Sequence, residues 1–137
     1  MRLSVKKIMK SRNELNSIAT DIVDAVFKVH KEVGPGLLES VYELSLLQEF
    51  KLRGIKAESQ VSIPLQYKGV ELSKDFKIDI LVADDIILEL KAVETILPVH
   101  KAQLISYLKL AEKRLGFLIN FNVPLIKDGI QRIANNF

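Results

Sequence analysis

Two acidic residues and a lysine stand in neighbouring apolar stretches of the chain. Glu89 and Lys91 lie two positions apart, so in a β-strand both side chains emerge on the same face. Asp79 stands in the preceding apolar stretch, and the loop between the stretches is short. Asp79 and Glu89 are therefore expected to be neighbours across an antiparallel strand pair. Adjacent carboxylates repel unless a proton or a cation lies between them, and a hard divalent cation prefers such oxygen ligands.

Three further polar residues have spacings that suit either chemistry or ordinary structure. Gln103 and Tyr107 are four residues apart and share one face of a predicted helix. Glu39 falls in the first turn of another predicted helix, where the helix dipole favours a negative charge without any catalysis. Taken alone, the acid–lysine set is also typical of a structural ion pair in which the lysine bridges the two acids.

The elements that position these residues follow from the hydrophobic periodicity. The pattern predicts two helices, three antiparallel strands, a third helix, a strand buried on both faces and a short last element that could be one more strand. Their approximate bounds are 13–33, 37–53, 61–65, 70–82, 86–93, 98–113, 115–121 and 126–133. Gly34-Pro35-Gly36 separates the first two helices. The order predicts an α/β domain with a mixed sheet, because a strand that follows a crossover helix often lies parallel to an earlier one.

The bulk composition bounds the class of protein. The 137 residues suit one domain over 1–137, and the absence of cysteine excludes disulfides, thiolate catalysis and cysteine-based zinc sites. No segment reads as a signal peptide or a membrane span, so we expect a soluble cytoplasmic protein with no membrane partner. The net charge of +3 permits nucleic-acid binding.

A basic segment over 1–12 precedes the first acid, Glu14. It is either a flexible, solvated terminus or a phosphate-binding arm. Its basic residues are Arg2, Lys6, Lys7, Lys10 and Arg12.

The polar residues, read in order, resemble a known family. The motifs are Gly36-x-x-Glu39-x-x-Tyr42, Asp79, Glu89-x-Lys91 and Gln103-x-x-x-Tyr107. With the flanking VHKEVGPGLLESVYE and ELKAVE…HKAQLISYLK, they resemble the GxxExxY family of small proteins, which is classed with the PD-(D/E)XK nucleases. The resemblance spans about 18–121. It implies a restriction-endonuclease-like α/β core, in which a central mixed sheet is flanked by helices. Ile78 stands where the superfamily pattern has its proline.

The resemblance also implies a metal site. Asp79, Glu89 and Lys91 would be the catalytic residues. Glu39, Asp79, Glu89 and the backbone carbonyl of Leu90 would bind Mg²⁺ or Mn²⁺. For Lys91 we favour an orienting or electrostatic role over that of a general base, because the nearby carboxylates stabilise its charged form.

The implied substrate is nucleic acid, most simply DNA. Gln103 and Tyr107 match an element that holds the substrate strand in related nucleases, and His100 would be a further contact or a structural hydrogen-bonding residue. We therefore predict a magnesium-dependent nuclease that hydrolyses phosphodiester bonds, with a homodimer as one way to grip a duplex. DNA or RNA, strand preference and pathway stay open.

Two other readings remain. The chain would be a catalytically silent nucleic-acid- or protein-binding module of the same fold, or a hydrolase that uses two carboxylates on sugars. The absence of tryptophan, a residue often stacked on sugars, argues against the latter. The other acids, including Glu43 and Glu94, are interpreted as solvated surface, and Tyr42 as ordinary core. Glu94 follows its strand closely enough to be a marginal site candidate as well.

Overall fold

A computed structural model describes residues 9–137, apart from the side chains of Ser73 and Lys74. The first eight residues of the predicted basic segment lie outside this range. The described end of that segment contacts the domain, because the Lys10 ammonium binds the Asp85 carboxylate and the Ala83 carbonyl.

The first two helices lie where the periodicity predicts them. Helix α1 spans Arg12–Val33 and begins at a capping box formed by Ser11 and Glu14. Helix α2 spans Glu39–Leu52. It begins two residues later than predicted, because the backbone of Leu38 is still extended. Glu39 is thus the first residue of the helix.

Within residues 9–137, five strands form one mixed sheet in the order β1-β2-β3-β4-β5. They span Ala57–Tyr67, Val70–Val82, Ile86–Lys91, Leu115–Asn120 and Ile130–Ala134. Strands β3 and β4 are parallel, and the other neighbouring pairs are antiparallel. The predicted three-strand meander and mixed sheet are confirmed. The last element, unassigned from the sequence, is a 3₁₀ turn over Ile126–Gly129 followed by strand β5.

Helix α3 spans Pro98–Leu110 and carries the chain from β3 to β4. It ends three residues before the predicted bound. Glu112 has a φ of 55° and Lys113 donates its N–H to the Leu108 carbonyl, so the chain turns at once toward β4. Strand β3 likewise ends at Lys91 rather than Val93.

The helices cover both faces of the sheet. Helices α1 and α2 pack on one face through residues such as Val26 and Leu46, against Leu88 of the sheet. Helix α3 packs on the other face through Leu104, against Ile87. Strand β3 therefore has apolar cover on both faces, which explains its almost continuous apolar sequence. In the part of the chain that the structure describes, no helix is long and apolar enough to cross a membrane.

Candidate active site

Strands β2 and β3 separate where their acidic residues meet. The register Ile80↔Leu88 places Asp79 opposite Glu89, one step beyond the last paired residues. There the backbone N–H of Leu90 donates to Asp79 Oδ2 at 2.8 Å, and the N–H of Asp79 donates to Glu89 Oε1 at 3.3 Å. Side-chain carboxyl oxygens thus take the place of backbone acceptors. The predicted contact between the two acids is formed.

Burial raises the pKa of Glu89. Glu89 is only 4% exposed to solvent. Loss of solvation raises the pKa of Glu89 to about 9, and the charge of Asp79 and a side-chain hydrogen bond with it add to the rise. The N–H of Asp79 and the charge of Lys91 oppose it. Burial and the neighbouring Asp79 therefore favour the protonated form of Glu89.

Glu39 lies across a cavity from Asp79. The cavity has a volume of about 210 Å³ and lies between the start of α2 and the sheet. Its lining residues are Glu39, Ser40, Glu43, Gln60, Asp79 and Leu90. Within residues 9–137, no three His, Cys, Asp or Glu side chains converge closely enough to hold a metal ion. The donors that do meet directly are the carboxyl groups of Asp79 and Glu89.

Lys91 acts on this site through its charge. It is half-buried, and alternation along β3 puts it on the same face as Glu89. Its ammonium lowers the pKa of Glu89 against the larger effect of burial. Among the described residues Lys91 makes no ion pair with Asp79 or Glu89 within 4.0 Å. The lysine-bridged ion pair that the sequence left open is thus not formed.

Helix α3 brings a tyrosine to the same acids. Gln103 Nε2 donates to the hydroxyl oxygen of Tyr107 at 2.9 Å, so the predicted helical pair is in contact. Burial raises the pKa of Tyr107, and the charges of Glu89 and Asp79 raise it further. The Tyr107 hydroxyl is therefore close enough to Asp79 and Glu89 for their charges to shift its pKa.

His100 closes the first turn of α3. Its Nδ1 accepts a hydrogen bond from the Leu97 N–H at 2.9 Å, which fixes the ring at the helix start. No hydrogen bond among the described residues joins His100 to Asp79 or Glu89. Of the three residues predicted to contact substrate, His100 has the clearest structural role.

The comparison with known proteins agrees with this geometry. A family model described as the PD-(D/E)XK nuclease superfamily matches residues 16–133, a range that contains every predicted site residue. The chain belongs to the PD-(D/E)XK nuclease superfamily. No curated protein and no solved structure is significantly similar to it. The predicted restriction-endonuclease-like α/β fold is confirmed.

Tyr42 does more in this PD-(D/E)XK domain than fill the core. Its hydroxyl donates to the Gly34 carbonyl at 2.6 Å and accepts from the Leu37 N–H at 3.2 Å. Its ring stacks on Phe121 at 4.3 Å between centroids. Tyr42 therefore ties the turn that precedes Glu39 to the end of β4. Its spacing of three residues from Glu39 is the only signal of this in the sequence.

Glu43 corrects the sequence interpretation. Read as solvated surface, it is half-buried and lines the cavity together with Asp79. The reason is helical geometry, since Glu43 lies four residues after Glu39 and shares its face of α2. Glu94, also read as surface, is exposed.

Proposed function

We propose that the protein is a divalent-metal-dependent nuclease that hydrolyses phosphodiester bonds of DNA. The observation that supports this best is the acid pair of Asp79 and Glu89. The two carboxyl groups are held together where a strand pair opens, and burial, with the charge of Asp79 second, raises the pKa of Glu89.

The donor chemistry fits a hard cation. Asp79 and Glu89 supply carboxyl oxygens, Leu90 lines the cavity beside Asp79, and Glu39 lies across it. Magnesium keeps several waters and needs only one or two protein carboxylates, so three converging acids are not required. Asp79, Glu89 and the Leu90 carbonyl would hold Mg²⁺ or Mn²⁺, with Glu39 completing the set. Such an ion would polarise the phosphoryl oxygen and lower the pKa of an attacking water.

The remaining residues would orient the reactants. Lys91 stands on the face of Glu89 and would orient the attacking water or stabilise charge on the phosphate. Gln103 and Tyr107 would contact the substrate strand beside the acids, and His100 would hold the start of their helix. The overall charge of +3 is compatible with a polyanionic partner.

Within the superfamily we assign the chain to the GxxExxY group. The support is that Gly36, Glu39 and Tyr42 form one local unit, in which the Tyr42 hydroxyl holds the turn before Glu39. Location in the cytoplasm and a homodimer on duplex DNA also remain part of the proposal. Sedimentation of the protein with and without a DNA duplex would test the dimer.

The test is a titration of metal-free protein with Mg²⁺ and Mn²⁺, followed by cleavage of labelled single- and double-stranded DNA. Asp79→Ala and Glu89→Ala are the test variants. Glu32→Ala is the matched control, because it removes an exposed acid paired with Lys28 on α1. We expect both variants to lose metal affinity and cleavage by at least roughly a hundredfold, more than loss of an outer partner costs.

The outcomes separate the readings. If the wild type binds metal but cuts no nucleic acid, the protein is a silent binding module of the same fold. If it binds neither ion, the acid pair is a structural feature and the proposal fails. Cleavage that survives both substitutions would also overturn it.

A further inference from the structure

Strand β1 breaks its pairing directly opposite Asp79. Ser59 pairs with Ile80 and Val61 pairs with Ile78, yet the intervening Gln60 forms no pair with Asp79. Gln60 has a φ of 52°, in the left-handed region that residues other than glycine rarely adopt. The strand therefore kinks at the residue that faces the proposed metal ligand.

The kink at Gln60 differs from the other left-handed positions in residues 9–137. Those at residues other than glycine lie at the ends of elements or between them: Lys68, Ala83, Asp84, Glu112 and Asn136. Gln60 instead lies inside an eleven-residue strand. A left-handed backbone is unfavourable for such a residue, and such strain persists only where surrounding contacts hold it.

The side chain of Gln60 shows which contact holds it. Gln60 Nε2 donates to Glu43 Oε1 at 2.8 Å, from the sheet to helix α2. Both residues line the cavity between Glu39 and Asp79. The hydrogen bond thus joins the helix that carries Glu39 to the strand that faces Asp79.

We propose that Gln60 is a positioning residue that holds Glu39 and Asp79 at a fixed separation, acting through its hydrogen bond to Glu43. This inference rests on the proposed metal-dependent function, which needs both acids at one ion. The kink also takes Gln60 out of the ladder between β1 and β2, at the point where Asp79 lines the cavity. Neither Gln60 nor Glu43 is required to touch the ion.

The competing explanation is that the kink only blunts an edge strand against pairing with another chain. Gln60→Gly separates the two. Glycine adopts the left-handed backbone without strain, so the kink stays while the carboxamide is lost. A purely structural kink predicts unchanged or higher stability and unchanged metal affinity.

The experiment titrates metal-free protein with Mn²⁺ and measures urea unfolding in EDTA. We expect Gln60→Gly to unfold at the same or a higher urea concentration, and to bind Mn²⁺ about tenfold more weakly, as loss of an outer partner does. Gln66→Gly is the matched control. It removes an exposed glutamine of the same strand that does not line this cavity, and we expect its Mn²⁺ affinity to stay within twofold of the wild type.

A double-mutant cycle tests the route through Glu43. Glu43→Ala should weaken Mn²⁺ binding, and adding Gln60→Gly should weaken it by less than twofold more, because the link is already lost. Glu43→Gln keeps an oxygen that accepts from Gln60 and should bind Mn²⁺ better than Glu43→Ala. If the loss of Mn²⁺ affinity in the double variant equals the product of the two single losses, the inference is overturned.

The result distinguishes this inference from the proposed function. If the wild type binds Mn²⁺ and Gln60→Gly binds it equally well, Gln60 positions nothing and the metal site stands. If the wild type does not bind Mn²⁺, the proposed function fails and takes the inference with it.

Discussion

The two edges of β3 are held by different interactions. On the β4 side the pairing runs without interruption from Ile86↔Leu115 to Lys91↔Asn120. On the β2 side it stops at Ile80↔Leu88, and carboxyl groups take over from backbone acceptors. The same strand is therefore regular on one edge and open on the other.

The difference shows how one strand serves both stability and chemistry. Toward β4 the neighbouring residues from Leu115 to Ile119 are apolar and buried, so hydrophobic packing fixes the register. Toward β2 the acid pair of Asp79 and Glu89 interrupts the ladder, and the resulting gap meets the cavity. Substitutions at the β4 edge should therefore lower the stability of the fold, and substitutions at the β2 edge should weaken metal binding.

The largest expected effect comes from the apolar edge. Leu88 is fully buried and pairs with Ile80 and Phe117. We expect Leu88→Ala to lower the free energy of unfolding by about 2–5 kcal/mol, because it leaves a cavity in the core. The Mn²⁺ affinity of the molecules that remain folded should change by less than twofold. Urea unfolding and Mn²⁺ titration measure the two quantities.

Leu44→Ala is the control for Leu88→Ala, because Leu44 is 67% exposed on α2. Its unfolding free energy should fall by less than about 0.5 kcal/mol. A loss below about 1 kcal/mol in Leu88→Ala would contradict the assignment of stability to this edge.

The open edge of β3, where Asp79 and Glu89 meet, should make the free energy of unfolding depend on pH. The pKa of Glu89 is about 9 in the folded chain against an ordinary 4.5, so the folded state holds a proton that the unfolded state releases. The stabilisation is complete below pH 4.5 and is lost as the pH rises toward 9. In EDTA the wild type should therefore lose up to about 1.4 kcal/mol of unfolding free energy per pH unit between pH 6 and 8.

Glu89→Gln should remove most of this slope, because the glutamine carboxamide does not ionise in this pH range. Urea unfolding in EDTA at pH 6, 7 and 8 measures it. Glu58→Gln, at an exposed acid near Lys56, is the control and should keep the wild-type slope. Equal slopes in the wild type and Glu89→Gln would mean that Glu89 is already ionised at pH 6.

A smaller effect is expected where the regular edge ends. The buried Asn120 carboxamide accepts from the Val93 N–H at 3.1 Å and donates to the Val93 carbonyl at 2.9 Å. Asn120→Ala leaves both groups without that partner and should lower the unfolding free energy by about 1–2 kcal/mol. Asn122→Ala, which removes the same chemical group from a half-exposed site, should cost less than about 0.5 kcal/mol. Equal losses would show that Asn120 does not terminate the strand.

The regular edge could be predicted from the sequence, and so could part of the open one. Apolar runs repeat locally, so the spacing around Leu88 and Phe117 predicts buried strands without tertiary information. The meeting of Asp79 with Glu89 is also predictable, because the loop between their strands is too short to allow many registers.

The far wall of the site could not be predicted. The left-handed backbone of Gln60 has no sequence signal, since it depends on a contact with Glu43, a residue on another element. The orientation of Glu43 depends in turn on how α2 packs on the sheet. The sequence leaves the type of the last element open for a related reason, because only Ile133 of strand β5 is buried and the alternation is weak.

The smallest predicted effect concerns helix α3, which flanks the acid pair of Asp79 and Glu89. Tyr107 and Gln103 lie beside the open edge, and their hydrogen bond joins two side chains of one helix. Tyr107→Phe removes a single hydroxyl, and the exposed Gln103 amide can bond to water instead. The unfolding free energy should therefore change by about 1 kcal/mol or less.

Under the proposed function, KM for DNA should rise severalfold while kcat changes little, because the lost contact is to substrate in both ground and transition states. Tyr67→Phe, at a hairpin tyrosine that is 63% exposed, is the control and should leave both constants unchanged. A fall in kcat without a change in KM would instead place the Tyr107 hydroxyl at the reacting atoms, on the chemical side of the open edge.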